Sequence, residues 1–358
     1  KNLKKNNYAI IMAGGGGSRF WPLSKKELPK QFLDVLGVGE TFIQQTFKRL
    51  SSICPVKNIF IVTNHDYFNI CKEQLPKIDD DQILCEPVMR NTAPCIAYAA
   101  FKIHSINNDA KLIVAPSDHL ITDNREFTKT IKQIFDTIEN KEYLVTLGIH
   151  PTRPETGFGY IQYDDTNILD ENNNVKKVKT FTEKPNKDLA LQFLDSGDFL
   201  WNAGIFAFTS KAIISSYKKY LRDIYDVFVS GEDFYNTKKE QEFINRVFPT
   251  CKNISIDYGI LEKSDLVYVF PSSFGWSDLG TWGSIDNQLE KNNDKNSKRG
   301  DKINLYDSRD NIVILDDIKE CVISGLTGYI VVQSGKSILI CRKTDEQQIK
   351  KFVGDLNN

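Results

Sequence analysis

An excess of either charge is missing from this sequence: 46 Lys and Arg face 47 Asp and Glu over 358 residues. A nearly neutral chain sets up no field that would gather nucleic acid or an anionic membrane, so any anion site must be a local cluster. Long apolar runs are missing too. No window approaches the roughly 18–20 uninterrupted apolar residues of a membrane span. Residues 1–7 are basic and polar, without the apolar stretch and small-residue cleavage site of a signal peptide. No C-x-x-C pair occurs: Cys54, Cys71, Cys85, Cys95, Cys251, Cys321 and Cys341 stand singly. Such a scattered, odd-numbered set reads as reduced cytosolic thiols, not as a disulfide framework or a zinc site. The expectation is a soluble, cytoplasmic protein with no nucleic-acid or membrane partner.

What is present is an alternation of short apolar runs with helical patterns. Residues 8–13 (YAIIMA), 58–63 (NIFIVT), 111–115 (KLIVA) and 143–149 (YLVTLGI) read as buried strands. Between them Phe42, Ile43, Phe47 and Leu50 recur at helical spacing behind Thr41, a candidate N-cap. Pro94 suits the first turn of another helix, and 127–138 is amphipathic. This order predicts an α/β fold with a Rossmann-like mixed, mostly parallel sheet. Past Gly157 the segments become strand-rich, interrupted by a helical insertion over roughly 211–246. Residues 286–301 (DNQLEKNNDKNSKRGD) are polar and apolar-poor and read as a linker. The predicted organisation is a catalytic domain over 1–285, that linker, and a small β-rich C-terminal domain over 302–358.

In such sheets ligands bind beyond the carboxyl ends of the strands. The first strand runs directly into Gly14, Gly15, Gly16 and Gly17, then Ser18 and Arg19. Glycines leave backbone N–H groups free to approach phosphates. A dinucleotide fingerprint would need glycine where Arg19 stands, and no Gly-Lys-Ser/Thr of a Walker loop occurs. A flexible turn and a nucleotidyltransferase loop, with Arg19 neutralising phosphate, stay open on the glycines alone. Further along, the motif continues as R-x-W-P-L-S-x(4)-P-K-Q-F through Lys30.

Over this stretch the sequence resembles the sugar-1-phosphate nucleotidyltransferases, and within them the mannose-1-phosphate guanylyltransferases (GDP-mannose pyrophosphorylases). The resemblance is firm from Tyr8 to about Trp282 and looser over 300–356. It implies a nucleotidyltransferase-type sheet and an enzyme that transfers GMP from GTP to α-D-mannose 1-phosphate, releasing pyrophosphate and GDP-mannose. It implies Arg19 and Lys30 as catalytic cations on the triphosphate, and Mg²⁺ held by Asp118 (in A-P-S-D-H) and Asp278 (in W-S-D-L-G-T-W). Two carboxylates suffice for Mg²⁺, which completes its shell with phosphate and water. Asp118 alone could equally be a helix cap, and His119 a structural histidine. Lys25 and Lys26 read as solvated.

The segment E-P-V-M-R-N-T-A-P is the family's base-reading stretch, with Glu86 a carboxylate able to accept from guanine N1–H and its 2-amino group; a backbone carbonyl could do the same. Asn91 and Thr92 are further nucleotide-site candidates, or only caps of the helix near Pro94. Three later segments resemble the family's sugar-phosphate site. Gly159 in T-G-F-G-Y lets the sugar approach the backbone. Glu183 and Lys184 in T-E-K-P take hydroxyls and the incoming phosphate, and Asn202 in N-A-G-I-F faces the sugar. Because a phosphate monoester ionises with a second pKa of about 6, the nucleophile needs no general base. The competing readings are a nucleotidyltransferase for another hexose 1-phosphate, and a silent GDP-mannose-binding relative, which would be expected to lose the Arg, Lys or Asp retained here. The resemblance also implies that the C-terminal domain can mediate a homodimer, and the length leaves no room for a fused isomerase domain.

Overall fold

The computed structural model describes residues 5–17, 19–170 and 174–356; Lys1–Lys4 of the polar N-terminus and Ser18 of the glycine loop lie outside the described residues. Strand β1 (Asn7–Ala13) is buried along almost its whole length, as an apolar run with both faces covered must be. It pairs in parallel with β2 (Ile59–Asn64), which pairs in parallel with β3 (Ile83–Glu86). On its other side β1 pairs in parallel with β4 (Lys111–Pro116). After the short β5 (Leu120–Ile121) come β6 (Leu144–Ile149), β7 (Tyr160–Asp170), β8 (Val175–Thr182), β9 (Phe199–Thr209) and β10 (Val267–Ser272). The nine-stranded sheet has the order β3-β2-β1-β4-β9-β6-β10-β8-β7. Only β8 and β9 run against the direction of the other seven. The mixed, mostly parallel sheet expected from the sequence is the one observed.

Helices follow the sequence signals. Thr41 and Gln44 form reciprocal bonds at the start of α1 (Phe42–Leu50). After α2 (Phe68–Gln74), α3 (Thr92–Ile106) is buried on nearly every side, which explains its weak amphipathic pattern. Its N-cap is Asn91, whose side chain accepts from Thr92 N at 2.8 Å. Asp123 caps α4 (Asn124–Thr137) by accepting from Arg125 N and Glu126 N. The remaining helices of this part are α5 (Lys187–Ser196) and the insertion α6 (Ser210–Tyr220), α7 (Arg222–Val229) and α8 (Glu240–Val247).

The chain divides into two compact units. One comprises residues up to Gly14, Thr46–Ser117 and Ile121–Trp276; the other comprises Gly15–Gln45, Asp118–Leu120 and Ser277–Asn358. This departs from the expected boundaries at 285 and 301. Phe20 and Leu23 of the first motif, with Val35 and Phe42 just after it, are buried in one core with Trp282, Ile312, Ile314, Ile330 and Val332, so the motif folds with the C-terminal part. The expected linker is likewise structured. Following β11 (Trp276–Ser277) and α9 (Trp282–Asp286), β12 (Ser297–Arg299) opens a parallel stack with β14 (Ile312–Leu315) and β16 (Tyr329–Ser334). Between them β13 (Lys302–Tyr306) pairs in parallel with β15 (Glu320–Ser324), and β17 (Ser337–Arg342) adds an antiparallel edge before α10 (Ile349–Asp355).

Buried asparagines align the turns of this stack: Asn296 Oδ1 accepts from Asn311 N and Asn311 Nδ2, both at 3.0 Å, and Asn311 Oδ1 accepts from Tyr329 N at 2.8 Å. Polar composition here marks an internal hydrogen-bond ladder, not a solvated tether.

Candidate active site

Within the C-terminal unit, the P-K-Q-F motif forms a short 3₁₀ turn (Lys30–Phe32) that carries Lys30 into the interior. Its side chain is 8% exposed. Nζ donates to the Asp278 carbonyl at 2.7 Å and to Asp118 Oδ2 at 3.5 Å, with the rings of Phe20 and Phe42 centred 5.6 and 5.3 Å away. Lys30, Asp118 and Asp278, drawn from three separated segments, thus converge. Burial raises the Asp118 carboxyl, but Lys30 and then His119, 3.8 Å away, outweigh it and hold the group ionised below its usual range. Its side chain remains 37% exposed, so it is accessible to a ligand. Lys30 is here an internal cation for Asp118 and the Asp278 carbonyl, more enclosed than a simple phosphate anchor would be. Arg19 lies exposed in the turn after the glycines.

Leu279, between Asp278 and Gly280, holds φ at 44° although fully buried. A non-glycine residue there costs about 1–3 kcal/mol and marks a position held by its surroundings. Leu279 N donates to Ser277 Oγ and Gly280 N to Asp278 Oδ1, which fixes the loop. The same strain recurs at Asn91 (φ 67°) and Lys184 (φ 43°), so three of the segments singled out by motif carry it.

In the larger unit, Gly14 follows the last residue of β1 and Glu86 is the last residue of β3. A Cβ on Gly14 would stand 3.2 Å from Glu86 Oε2, so glycine keeps the space before that carboxylate open. Glu86 is buried, its Oε1 has no hydrogen-bond partner, and burial, opposed only by a bond from Cys95, pushes its pKa up to about 8. Asn91 is spent on capping α3, and the Thr92 hydroxyl accepts from Ile256 N at 2.8 Å. Gly15, Gly16 and Gly17 continue the chain out of β1 with no regular structure.

The third cluster, also in the larger unit, gathers Gly159, Glu183, Lys184 and Asn202. Asn202 N donates to Gly159 O at 2.8 Å. A Cβ on Gly159 would collide with Glu183 Oε1, so the room this glycine leaves is filled by the Glu183 carboxylate. Lys184 N donates to Phe158 O, while its side chain is 66% exposed and Nζ stands 3.9 Å from Glu183 Oε2. Two members of the cluster were not foreseen. Thr146, the lone polar side chain of β6, donates to Asn202 Oδ1 at 3.0 Å, next to a break in β6–β9 register. Asp257 accepts from Asn202 Nδ2 at 2.9 Å. The signal for each was an isolated polar residue inside an apolar run, LVTLGI and ISIDYGIL.

Residues 8–295 match the model of the nucleotidyl transferase family. The chain belongs to that family. This nucleotidyltransferase is 36% identical to mannose-1-phosphate guanylyltransferase 2 of Escherichia coli O157:H7 over 96% of its own length and 72% of the relative's. It is also 36% identical to the alginate biosynthesis protein AlgA of Pseudomonas fluorescens, over 98% of this chain and 71% of that protein. Among solved structures it is similar to one described as mannose-1-phosphate geranyltransferase from Thermus thermophilus, with TM-score 0.86, 27% identity and coverage of 99% of this chain and 100% of that one. Among the described residues no helix is long and apolar enough to cross a membrane, and no group of three or more His, Cys, Asp or Glu is arranged to hold a metal ion.

Proposed function

We propose that this nucleotidyltransferase moves GMP from GTP to α-D-mannose 1-phosphate, yielding GDP-mannose and pyrophosphate. A phosphate oxygen of the sugar phosphate attacks the α-phosphorus, the bond from that phosphorus to the bridging oxygen breaks, and pyrophosphate leaves in line. The attacking oxygen is already ionised at neutral pH, so no side chain has to remove a proton. The observation that carries the reading is the convergence of Asp118 and Asp278 on Lys30. The ionised, part-exposed Asp118 carboxylate, with the Asp278 side chain as its proposed partner, would offer a hard-oxygen donor pair of the kind that suits Mg²⁺, whose remaining positions phosphates and water fill. When bound there, Mg²⁺ would neutralise charge on the reacting phosphates.

The protein's own groups do the rest. Arg19 and Lys30 offset the triphosphate charge, and Lys184 holds the sugar phosphate. Glu86, once ionised, accepts from the two donors on guanine's Watson–Crick edge; adenine presents an acceptor at N1 and leaves the buried carboxylate unpaired. The names of the relatives favour mannose 1-phosphate as acceptor. The reading includes a cytoplasmic setting, in keeping with seven free thiols, six of them buried. The test is pyrophosphate release with a panel of nucleoside triphosphates and hexose 1-phosphates. GTP with mannose 1-phosphate is expected to have the highest kcat/KM; a clear preference for another pair would overturn the assignment.

A further inference from the structure

The Asn202 side chain is largely committed within the protein. Its Oδ1 accepts from Thr146 Oγ1 at 3.0 Å and from Gly204 N at 3.1 Å. Its Nδ2 donates to Asp257 Oδ1 at 2.9 Å, and it lies near enough to Glu183 to favour the ionised form of that acid. A side-chain amide offers two acceptor sites and two protons, and three of the four are used in these bonds. Each of the two carboxylates, by contrast, has about four lone-pair sites and retains acceptor capacity.

The setting of Asp257 is built, not incidental. It opens a five-residue π-turn (Asp257–Leu261), a form that concentrates at functional sites. Ile254 O accepts from Ala93 N and Ile256 N donates to the Thr92 hydroxyl, which anchors the approach to this turn on the first residues of α3. Gly259 is required inside the turn because a Cβ would stand 2.6 Å from Leu221 Cδ1. Burial and then the nearby Glu183 push the Asp257 carboxyl up to about 7, against the bond from Asn202 and the charge of Lys184. Glu183 is raised by burial, opposed first by Lys184. Both acids therefore lack full compensation, and both gain from donors. Sugar hydroxyls are such donors, and the neighbouring Lys184 is the matching cation for a phosphate.

We propose that Asp257 is a second hydroxyl-accepting carboxylate of the sugar pocket, and that Asn202 is the bridge fixing its separation from Glu183. This deepens the sugar-phosphate reading given above and rests on it. Specificity for the acceptor sugar then comes from two acids set apart by one amide, each taking a different hydroxyl of the ring.

The test compares wild type and D257N on a hexose 1-phosphate and its singly deoxygenated analogues. The parent sugar is whichever the wild-type enzyme turns over fastest, so a sugar other than mannose overturns the mannose assignment while leaving this test intact. D257N is expected to raise KM for the parent sugar phosphate by about ten- to a hundredfold, the loss of one bond to a charged acceptor, with KM for GTP unchanged. For the analogue lacking the accepted hydroxyl, wild type and D257N should agree within about twofold, as a double-mutant cycle requires of a direct contact. An equal penalty on every analogue would mean a purely structural role and would overturn the proposal, as would an unchanged KM. If D257N does not fold, D257E, which keeps the charge on a longer arm, is put through the same comparison with the same two outcomes.

Discussion

The Lys30 cluster and the Asn202 cluster each set a side-chain nitrogen against a carboxylate, yet their electrostatics are opposite. In the first, a buried ammonium lies against Asp118 and the Asp278 carbonyl, and Asp118 is held ionised. In the second, the bridging group is a neutral amide and both acids are pushed up. A cation against an acid keeps it charged, as the proposed metal and phosphate site requires. An amide against acids orients them but leaves them to gain from hydroxyl donors, as the proposed sugar pocket requires. The same residue type is tuned by the group set against it.

The largest test of this contrast is Asp278→Asn. It removes a proposed metal ligand while leaving the carbonyl that Lys30 uses, so turnover should fall by at least about a hundredfold with an unchanged unfolding midpoint. Normal activity would refute the metal assignment. Lys184→Ala probes the other cluster: KM for the sugar phosphate should rise by about tenfold or more, with KM for GTP nearly constant. An effect confined to GTP would place Lys184 wrongly.

Glu86 extends the contrast to an acid with no bridge at all. If Glu86 reads guanine as proposed, binding requires its ionised form, and the GTP dissociation constant should fall as pH rises towards about 8, by at most about tenfold per pH unit. Glu86→Gln should flatten that profile, which equilibrium titration between pH 6 and 9 would show. The stability effect has the opposite sign. Because the folded-state pKa is raised from 4.5 to about 8, the Glu86 contribution is fully present below pH 4.5 and is lost as pH climbs through 8.

The smallest expected effect is on folding: Lys30→Met should cost about 1–3 kcal/mol by leaving the Asp278 carbonyl unpaired. The Coulombic share is reduced because Asp118 is 37% exposed. Urea denaturation measures it, and a variant as stable as wild type would show that Lys30 does not hold this cluster.

Much of this was legible beforehand. Strand β1 announced itself by an unbroken apolar run, α4 by its periodicity and α1 by Thr41. The motif residues Lys30, Asp118 and Asp278 were readable as one set, and so were Gly159, Glu183, Lys184 and Asn202. Two kinds of feature were not. The stretch 286–301 looked like a tether because its stabilising groups are Asn296, which bonds backbone in other turns, and the buried Ser297, which donates to the Asp286 carboxylate; composition cannot show whether a polar residue has such a partner. Asp257 and Thr146 stood out only as polar residues in apolar runs; what ties them to the site is contact with Asn202 across 55 and 56 positions, which the local pattern does not encode. The protein partners of Lys30 and Asn202 were not legible either: Lys30 is enclosed between Asp118 and the Asp278 carbonyl, and Asn202 is held by Thr146, Gly204 and Asp257.

The most direct measurement is phosphorus NMR of the wild-type enzyme with GTP, mannose 1-phosphate and Mg²⁺. The account predicts that signals of GDP-mannose and pyrophosphate grow in equal amounts and stop when the metal is chelated. Release of orthophosphate, or unchanged substrates under the same conditions, would contradict it.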